Sequence, residues 1–136
     1  MDNQRVRILI VDDDQEFCDV VKDYLTNQGF HIDAVHDGID MKKYLSEQRI
    51  DLIILDVMLP GEDGLSLARQ LRAEESPIPI IMLSAAGDEV DRVLGLELGA
   101  DHYLTKQTNQ LTRTFSSCTR SITGATPQSS ESQDTQ

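Results

Sequence analysis

Residues 51–56 read Asp-Leu-Ile-Ile-Leu-Asp, with four consecutive apolar side chains between two aspartates. Residues 8–11, Ile-Leu-Ile-Val, form a second run of the same kind. A strand that is apolar at every position has both faces buried, as in a parallel sheet covered on both sides by helices. The two runs therefore predict central strands of a parallel sheet.

Apolar runs alternate along the chain with segments in which apolar residues recur every three or four positions. The pattern predicts strands at 6–11, 30–35, 51–56, 80–84 and 102–105, and helices at 15–28, 39–47, 64–73 and 89–98. Strands and helices that alternate with short connections are typical of a parallel sheet with right-handed crossovers. We therefore expect the α/β class, with a doubly wound five-stranded parallel sheet.

Polar side chains stand where four of the predicted strands end. They are Asp12, Asp13 and Asp14 after the first strand, Asp56 at the third, Ser84 at the fourth and Lys106 after the fifth. The carboxyl ends of parallel strands converge on the crevice where such folds bind ligands. Carboxylates, a hydroxyl and an ammonium group in one crevice suit a divalent cation and a phosphoryl group.

The bulk composition excludes several classes of function. The chain has 136 residues, enough for one domain, and its formal net charge is −12. So acidic a chain argues against non-specific binding to nucleic acid, which requires a basic surface. No apolar stretch approaches the length of a membrane span. Cys18 and Cys118 lack metal-ligand spacing, as do His31, His36 and His102, so we expect free thiols and solvated histidines. With no apolar signal segment, the protein is expected to be cytoplasmic.

The motifs resemble those of one family, the receiver domain of bacterial two-component response regulators. The resemblance lies in ILIVDDD (8–14), LIILDVMLPGEDGLSL (52–67), PIIMLSA (79–85), DEVDRVLGLELGADHYL (88–104) and the Thr-Lys pair 105–106. The LPGEDGLS and GLELGAD segments are similar to the OmpR-like branch. The resemblance covers residues 5–106 and implies the flavodoxin-like strand order 2-1-3-4-5.

The resemblance implies that Asp56 accepts a phosphoryl group from a phosphohistidine of a sensor histidine kinase. Asp12 and Asp13 would hold Mg²⁺ together with Asp56 and the main-chain carbonyl of Met58. The chemistry is consistent, because a carboxylate that attacks a phosphoryl group meets an anion and needs a hard, oxygen-bound cation beside it. Three adjacent acids also repel one another, so a cation should relieve the cluster.

The resemblance assigns the remaining site residues as well. Ser84 and Lys106 would bind phosphoryl oxygens, and Ser84 and Tyr103 would act as switch residues on activation. Such a protein is a signalling receiver, and it catalyses only its own phosphoryl transfer and slow dephosphorylation. The surface of the fourth helix and the fifth strand would support weak self-association.

The family pattern breaks directly after Lys106. The family has a proline there, joined by a cis peptide, and then a basic amphipathic helix, whereas this chain has Gln107 and a segment rich in Thr and Ser. We expect a receiver core at 1–106, an atypical and frayed fifth helix at 107–123 and a disordered tail at 124–136. A bond before a non-prolyl residue should be trans, which is expected to move the Lys106 ammonium away from the phosphoryl position.

The same break leaves alternatives to a competent receiver. No winged-helix segment follows, so direct DNA binding by this chain is not expected, and a shifted reading frame or a natural single-domain variant would both explain the sequence. A decoy would bind the kinase and transfer phosphoryl groups poorly. A phosphatase of the haloacid-dehalogenase type would need a threonine after the first strand's aspartates, and a flavodoxin-like flavin binder would not place three aspartates beside its phosphate.

Overall fold

The chain is described here by a computed structural model that covers residues 6–84 and 102–106, with the backbone alone at 102, 103 and 105. The strands are β1 (Arg7–Val11), β2 (His31–Val35), β3 (Leu52–Asp56), β4 (Ile80–Ser84) and β5 (His102–Thr105). The helices are α1 (Gln15–Asn27), α2 (Gly38–Glu47) and α3 (Gly64–Ala73). Each boundary lies within about one residue of its prediction. The predicted helices 89–98 and 107–123 and the tail 124–136 lie outside the described residues.

The five strands form one sheet in the order β2-β1-β3-β4-β5, and every neighbouring pair is parallel. The predicted strand order is therefore confirmed. β3 lies between β1 and β4, with Val11 opposite Leu55 and Asp56 opposite Leu83. The last residues of these strands consequently meet at one edge of the sheet. The polar residues at the strand ends therefore lie close together, as predicted.

Alternate residues of β1 pack on opposite faces of the sheet. Ile8 and Ile10 belong to the core cluster beneath α1, whereas Leu9 and Val11 belong to the cluster beneath α2 and α3. All four are fully buried, which explains why the strand is apolar at every position. Burial of each such side chain stabilises the fold by roughly 1.5–3 kcal/mol, so the central strands form a rigid base for the residues at their ends.

Each described helix begins after an aspartate that caps it. The side-chain carboxylates of these residues accept backbone N–H groups three positions ahead: Asp14 from Phe17, Asp37 from Asp40 and Asp63 from Ser66. A carboxylate at this position satisfies a free N–H and also interacts favourably with the positive end of the helix dipole. Several of the chain's many acids therefore have a structural role, and Asp14 is one of these.

Gly64, the first residue of α3, lies against the backbone that follows Asp56. Its N–H donates to the carbonyl of Val57 over 2.7 Å. A Cβ added at Gly64 would stand only 2.0 Å from the carbonyl oxygen of Asp56, so no side chain fits without movement of the backbone. This glycine therefore allows α3 to start close to the strand end that carries Asp56.

We expect Gly64→Ala to destabilise the protein by roughly 1–3 kcal/mol, because the clash is with backbone atoms that cannot rotate away. Gly38→Ala is the matched control, since Gly38 is also a buried first helical residue after a capping aspartate. Its added Cβ would meet the flexible side chain of Leu67 at 3.0 Å. Urea denaturation of both variants tests the difference, and equal losses would contradict it.

Candidate functional site

Three carboxylates come together at the ends of β1 and β3. Asp12, Asp13 and Asp56 each place an oxygen within 4.8 Å of the other two. Asp12 and Asp56 are buried, with 0% and 3% of their surface exposed, whereas Asp13 is exposed to solvent. Adjacent parallel strands that end in register produce this arrangement, and the cluster predicted from the strand ends is present.

Lys106 brings a positive charge to the two buried carboxylates. Its Nζ lies 2.7 Å from Asp12 Oδ2 and 3.2 Å from Asp56 Oδ2. Its backbone N–H donates to the carbonyl of Ser84 over 2.8 Å, which fixes the chain just after β5. The expected displacement of this ammonium is therefore wrong, because the short β5 holds Lys106 at the site. The Lys106–Gln107 peptide bond lies outside the described residues.

The backbone of Asp12 is anchored by neighbours that the sequence did not single out. The thiol of Cys18 donates to the carbonyl oxygen of Asp12 over 3.4 Å, and His36 Nδ1 lies 3.0 Å from the same oxygen. The Oδ1 atom of Asp12 accepts the N–H of Asp14 over 3.0 Å. His36 is half-buried, so the expectation of a solvated side chain is wrong. Its position directly after β2 could have placed it at this edge.

His31 lies 3.2 Å from Asp33, and 42% of its side chain is exposed, so its ring is in contact with solvent as well as with this carboxylate. His31 and Asp33 belong to β2, and His31 is its first residue, at the end of the strand opposite to the site. The side chain of His102 lies outside the described part of the structure.

The carboxylate of Asp56 is held from two sides. Its Oδ1 accepts the N–H of Met58 over 3.2 Å, while Lys106 contacts Oδ2. Met58 was predicted to contribute its carbonyl to a metal site, and the contact that the structure defines is through its N–H. Met58 is 70% exposed, so the loop after β3 lies at the surface beside the buried Asp56.

Ser84 and Tyr103 stand on the neighbouring strands. Ser84 is buried at the carboxyl end of β4 and pairs in register with Thr105 of β5. The backbone of Tyr103 pairs with Met82, and its side chain lies outside what the structure describes. The structure therefore places Ser84 on the strand next to that of Asp56, and the switch role of Tyr103 stays a prediction.

Burial and charge shift the ionisation of the site residues. Burial raises the pKa of Asp56 to about 6, and the negative charge of Asp12 acts in the same direction. Burial alone would lower the pKa of Lys106, but contact with Asp12 and Asp56 outweighs it and raises the value. Burial also raises the pKa of Cys18 to about 12, so this thiol stays neutral and can donate to Asp12.

The donor set fits a hard divalent cation. All three carboxylates offer oxygen ligands, which are the atoms that Mg²⁺ prefers in proteins. Oδ2 of Asp12 is buried, and among the described residues no donor is aligned to make a hydrogen bond to it, although it forms a close ion pair with Lys106. Among the described residues, one ammonium group faces three carboxylates and cannot balance them, so this part of the site keeps an excess of negative charge for a cation.

The chain belongs to the response regulator receiver domain family, whose sequence profile matches residues 8–114. It is 52% identical over 101 residues to the transcriptional regulatory protein GltR of Pseudomonas aeruginosa, covering 73% of this chain and 42% of that protein. It is 43% identical over 105 residues to the regulatory protein VanRc of Enterococcus gallinarum, covering 77% of this chain and 45% of that protein. The chain thus spans less than half the length of these relatives.

Solved structures support the same assignment. The BeF3-activated N-terminal receiver domain of Klebsiella pneumoniae RstA superposes with a TM-score of 0.77 at 29% identity, covering 85% of this chain and 97% of that domain. A two-component response regulator from Clostridium difficile gives a TM-score of 0.80 at 25% identity, covering 87% and 95%. The predicted family, including its OmpR-like branch, and the predicted fold are confirmed. The profile match continues past Lys106, where the resemblance was expected to end.

None of the helices that the structure describes combines the length and the apolar character needed to cross a membrane.

We expect Lys106→Met to destabilise the metal-free protein by roughly 1–3 kcal/mol, because it leaves two buried carboxylates without their positive partner. Lys42→Met is a matched control, since Lys42 Nζ lies 3.8 Å from Glu62 Oε1 in a pair that is largely open to solvent. Loss of that pair should change stability by less than about 1 kcal/mol. Denaturation in the presence of a chelator measures both, and a similar small loss for each would contradict the role assigned to Lys106.

Proposed function

We propose that this receiver domain accepts a phosphoryl group on Asp56 from the phosphohistidine of a sensor histidine kinase. The observation that carries the proposal is the carboxylate of Asp56 at the end of the central strand, beside Asp12 and 3.2 Å from the ammonium of Lys106. A buried nucleophile held between an acid cluster and a cation suits phosphoryl transfer, in which catalysis is mainly positioning and charge stabilisation.

In the proposed reaction a carboxylate oxygen of Asp56 forms a bond to phosphorus while the phosphorus–nitrogen bond of the donor breaks. The histidine side chain leaves with the electron pair of that bond, and Asp56 becomes an acyl phosphate. The N–H of Met58 and the ammonium of Lys106 fix the two oxygens of Asp56 before the reaction. This preorganisation reduces the rearrangement that the attack requires.

Mg²⁺ would be held by Asp12, Asp13 and Asp56, with the main-chain carbonyl of Met58 as the fourth protein ligand. When bound, the cation would offset negative charge on the phosphoryl oxygens and on the attacking carboxylate. Asp13 is exposed and Asp12 is fully buried, so the proposed ligands would include one carboxylate open to solvent and one fixed in the interior. The excess of carboxylates over ammonium groups among the described residues of the cluster supports this assignment.

Ser84 and Lys106 are proposed to bind the phosphoryl oxygens after transfer, with Ser84 and Tyr103 as the switch residues. The close contact of Lys106 with Asp56 favours a phospho-acceptor over the decoy alternative, which required a displaced lysine. We further propose a receiver core at 1–106, a frayed fifth helix at 107–123 and a disordered tail at 124–136. Weak self-association through the fourth helix and β5, a cytoplasmic location and the lack of direct DNA binding by this chain stay predictions.

We expect acetyl phosphate with Mg²⁺ to add one phosphoryl group to the protein, and Asp56→Asn to abolish the addition. Intact-mass spectrometry measures it directly. Asp51→Asn is a matched control, because Asp51 lies just before the opposite end of the same strand and accepts the backbone N–H of Arg7. A phosphoryl group that is still added to Asp56→Asn, or that is no longer added to a folded Asp51→Asn, would contradict the assignment of Asp56.

We expect Mg²⁺ to raise the thermal midpoint, with a dissociation constant in the millimolar to sub-millimolar range. At a free concentration of roughly ten times that constant, the stabilisation should be about 1.4 kcal/mol. Asp13→Asn should remove most of this shift, while Asp14→Asn should keep it, because an asparagine can still cap α1. Equal shifts in the two variants would count against Asp13 as a ligand.

A further inference from the structure

Phe17 lies in the first turn of α1, and its ring contacts the ammonium group of the site. The Nζ atom of Lys106 is 4.8 Å from the centre of the Phe17 ring. The backbone of Phe17 is fixed by its N–H, which donates to the capping carboxylate of Asp14 over 3.2 Å. The side chain is half-buried and packs against the core cluster beneath α1, as does Leu104 of β5. The ring is therefore held in place from its backbone and from the core.

The ammonium of Lys106 is enclosed between this ring and the two buried carboxylates. The face of an aromatic ring carries negative charge and attracts a cation within about 6 Å of its centre. Lysine ends a flexible four-carbon stem, so its charge can take many positions unless neighbours restrict it. The ring lies on one side of the ammonium, whose nitrogen is 2.7 Å from Asp12 Oδ2 and 3.2 Å from Asp56 Oδ2, and 17% of the Lys106 side chain is exposed.

We propose that Phe17 is a positioning residue for phosphoryl transfer, and that the face of its ring holds the Lys106 ammonium at the reacting carboxylate. The proposal rests on the proposed function, because the position of this ammonium affects a rate only if Asp56 accepts a phosphoryl group. A cation that is already in place needs little reorganisation when charge develops on the phosphoryl oxygens. The ring thus acts through Lys106 and does not touch the reacting atoms.

The test changes the charge of the ring face and leaves its shape almost unaltered. The ring of Phe17 is replaced by its pentafluoro analogue, in which fluorine withdraws the negative charge from the face. The same replacement at Phe30 is the control, since Phe30 is buried in the same core cluster and only 2% exposed. Phe17→Leu, which removes the ring, serves as a second variant should the fluorinated protein fold poorly.

Two measurements are made on each protein. The first is the order of the Lys106 side chain, from NMR relaxation of isotope-labelled lysine in the metal-free protein, with the signal assigned by its loss in Lys106→Met. The second is the rate of phosphorylation by acetyl phosphate with Mg²⁺. At Phe17 we expect the lysine to become less ordered and the rate to fall about three- to fivefold, the effect of a typical cation–π contact. At Phe30 neither quantity should change.

The two measurements separate the proposal from the function on which it rests. If the unaltered protein takes no phosphoryl group, the proposed function fails. The NMR measurement of side-chain order still decides whether the Phe17 ring restricts the Lys106 ammonium. A Lys106 side chain that stays ordered after fluorination of Phe17 would overturn the proposal. So would an unchanged rate of phosphorylation, or equal effects at Phe17 and Phe30.

Discussion

The site depends on the burial of two carboxylates beside the ammonium group of Lys106. Asp12 and Asp56 are almost fully buried at the ends of adjacent strands, and Lys106 contacts both of them. Burial of an unpaired charge is strongly unfavourable, so each carboxylate needs hydrogen bonds, a counter-charge or a bound cation. The raised pKa of Asp56 is the direct result of that environment. The surrounding fold must therefore hold these three side chains in a fixed arrangement.

The sheet supplies most of that fixation. β1 and β3 are buried on both faces, and their register places Val11 opposite Leu55, so the aspartates that follow are brought to one edge. Three further features fix the backbone around them. Gly64 allows α3 to approach Asp56, and Cys18 and His36 both contact the carbonyl oxygen of Asp12. A site that carries an excess of negative charge is thus supported by a strongly apolar core, as is common for functional sites that reduce stability locally.

The function proposed for the cluster rests on this excess of charge. In the part of the chain that the structure describes, Lys106 is the one ammonium group in close contact, and the cluster retains negative charge that a hard cation can neutralise. The same cation would allow an anionic phosphoryl donor to approach an anionic nucleophile. In the proposed function, the same carboxylates would therefore affect both the stability of the metal-free protein and the phosphoryl transfer with metal bound. The membership of the chain in the response regulator receiver domain family is consistent with that chemistry.

The amino-acid sequence predicted the fold and the acidic cluster well, because both depend on local patterns. Continuous apolar runs indicate buried parallel strands, and the residues that end those runs must lie at one edge of the sheet. Asp12, Asp13 and Asp56 could therefore be brought together without coordinates. The limits of the described helices and strands were likewise set by caps and apolar periodicity, which are properties of neighbouring residues.

Only the tertiary structure decided which residue balances the negative charge of the cluster and which residues contact its backbone. The break in the family pattern at Gln107 suggested a displaced lysine, yet the pairing of β5 with β4 and the hydrogen bond from the Lys106 N–H to Ser84 keep its ammonium at Asp12 and Asp56. The contacts of Phe17 and His36 were not predicted either, since an aromatic residue in an amphipathic helix has no distinctive pattern, and the position of His36 after β2 indicates only the edge of the sheet and not what the ring contacts. Contacts between residues far apart in the chain depend on how helices and strands pack, and local sequence patterns do not specify that packing in detail.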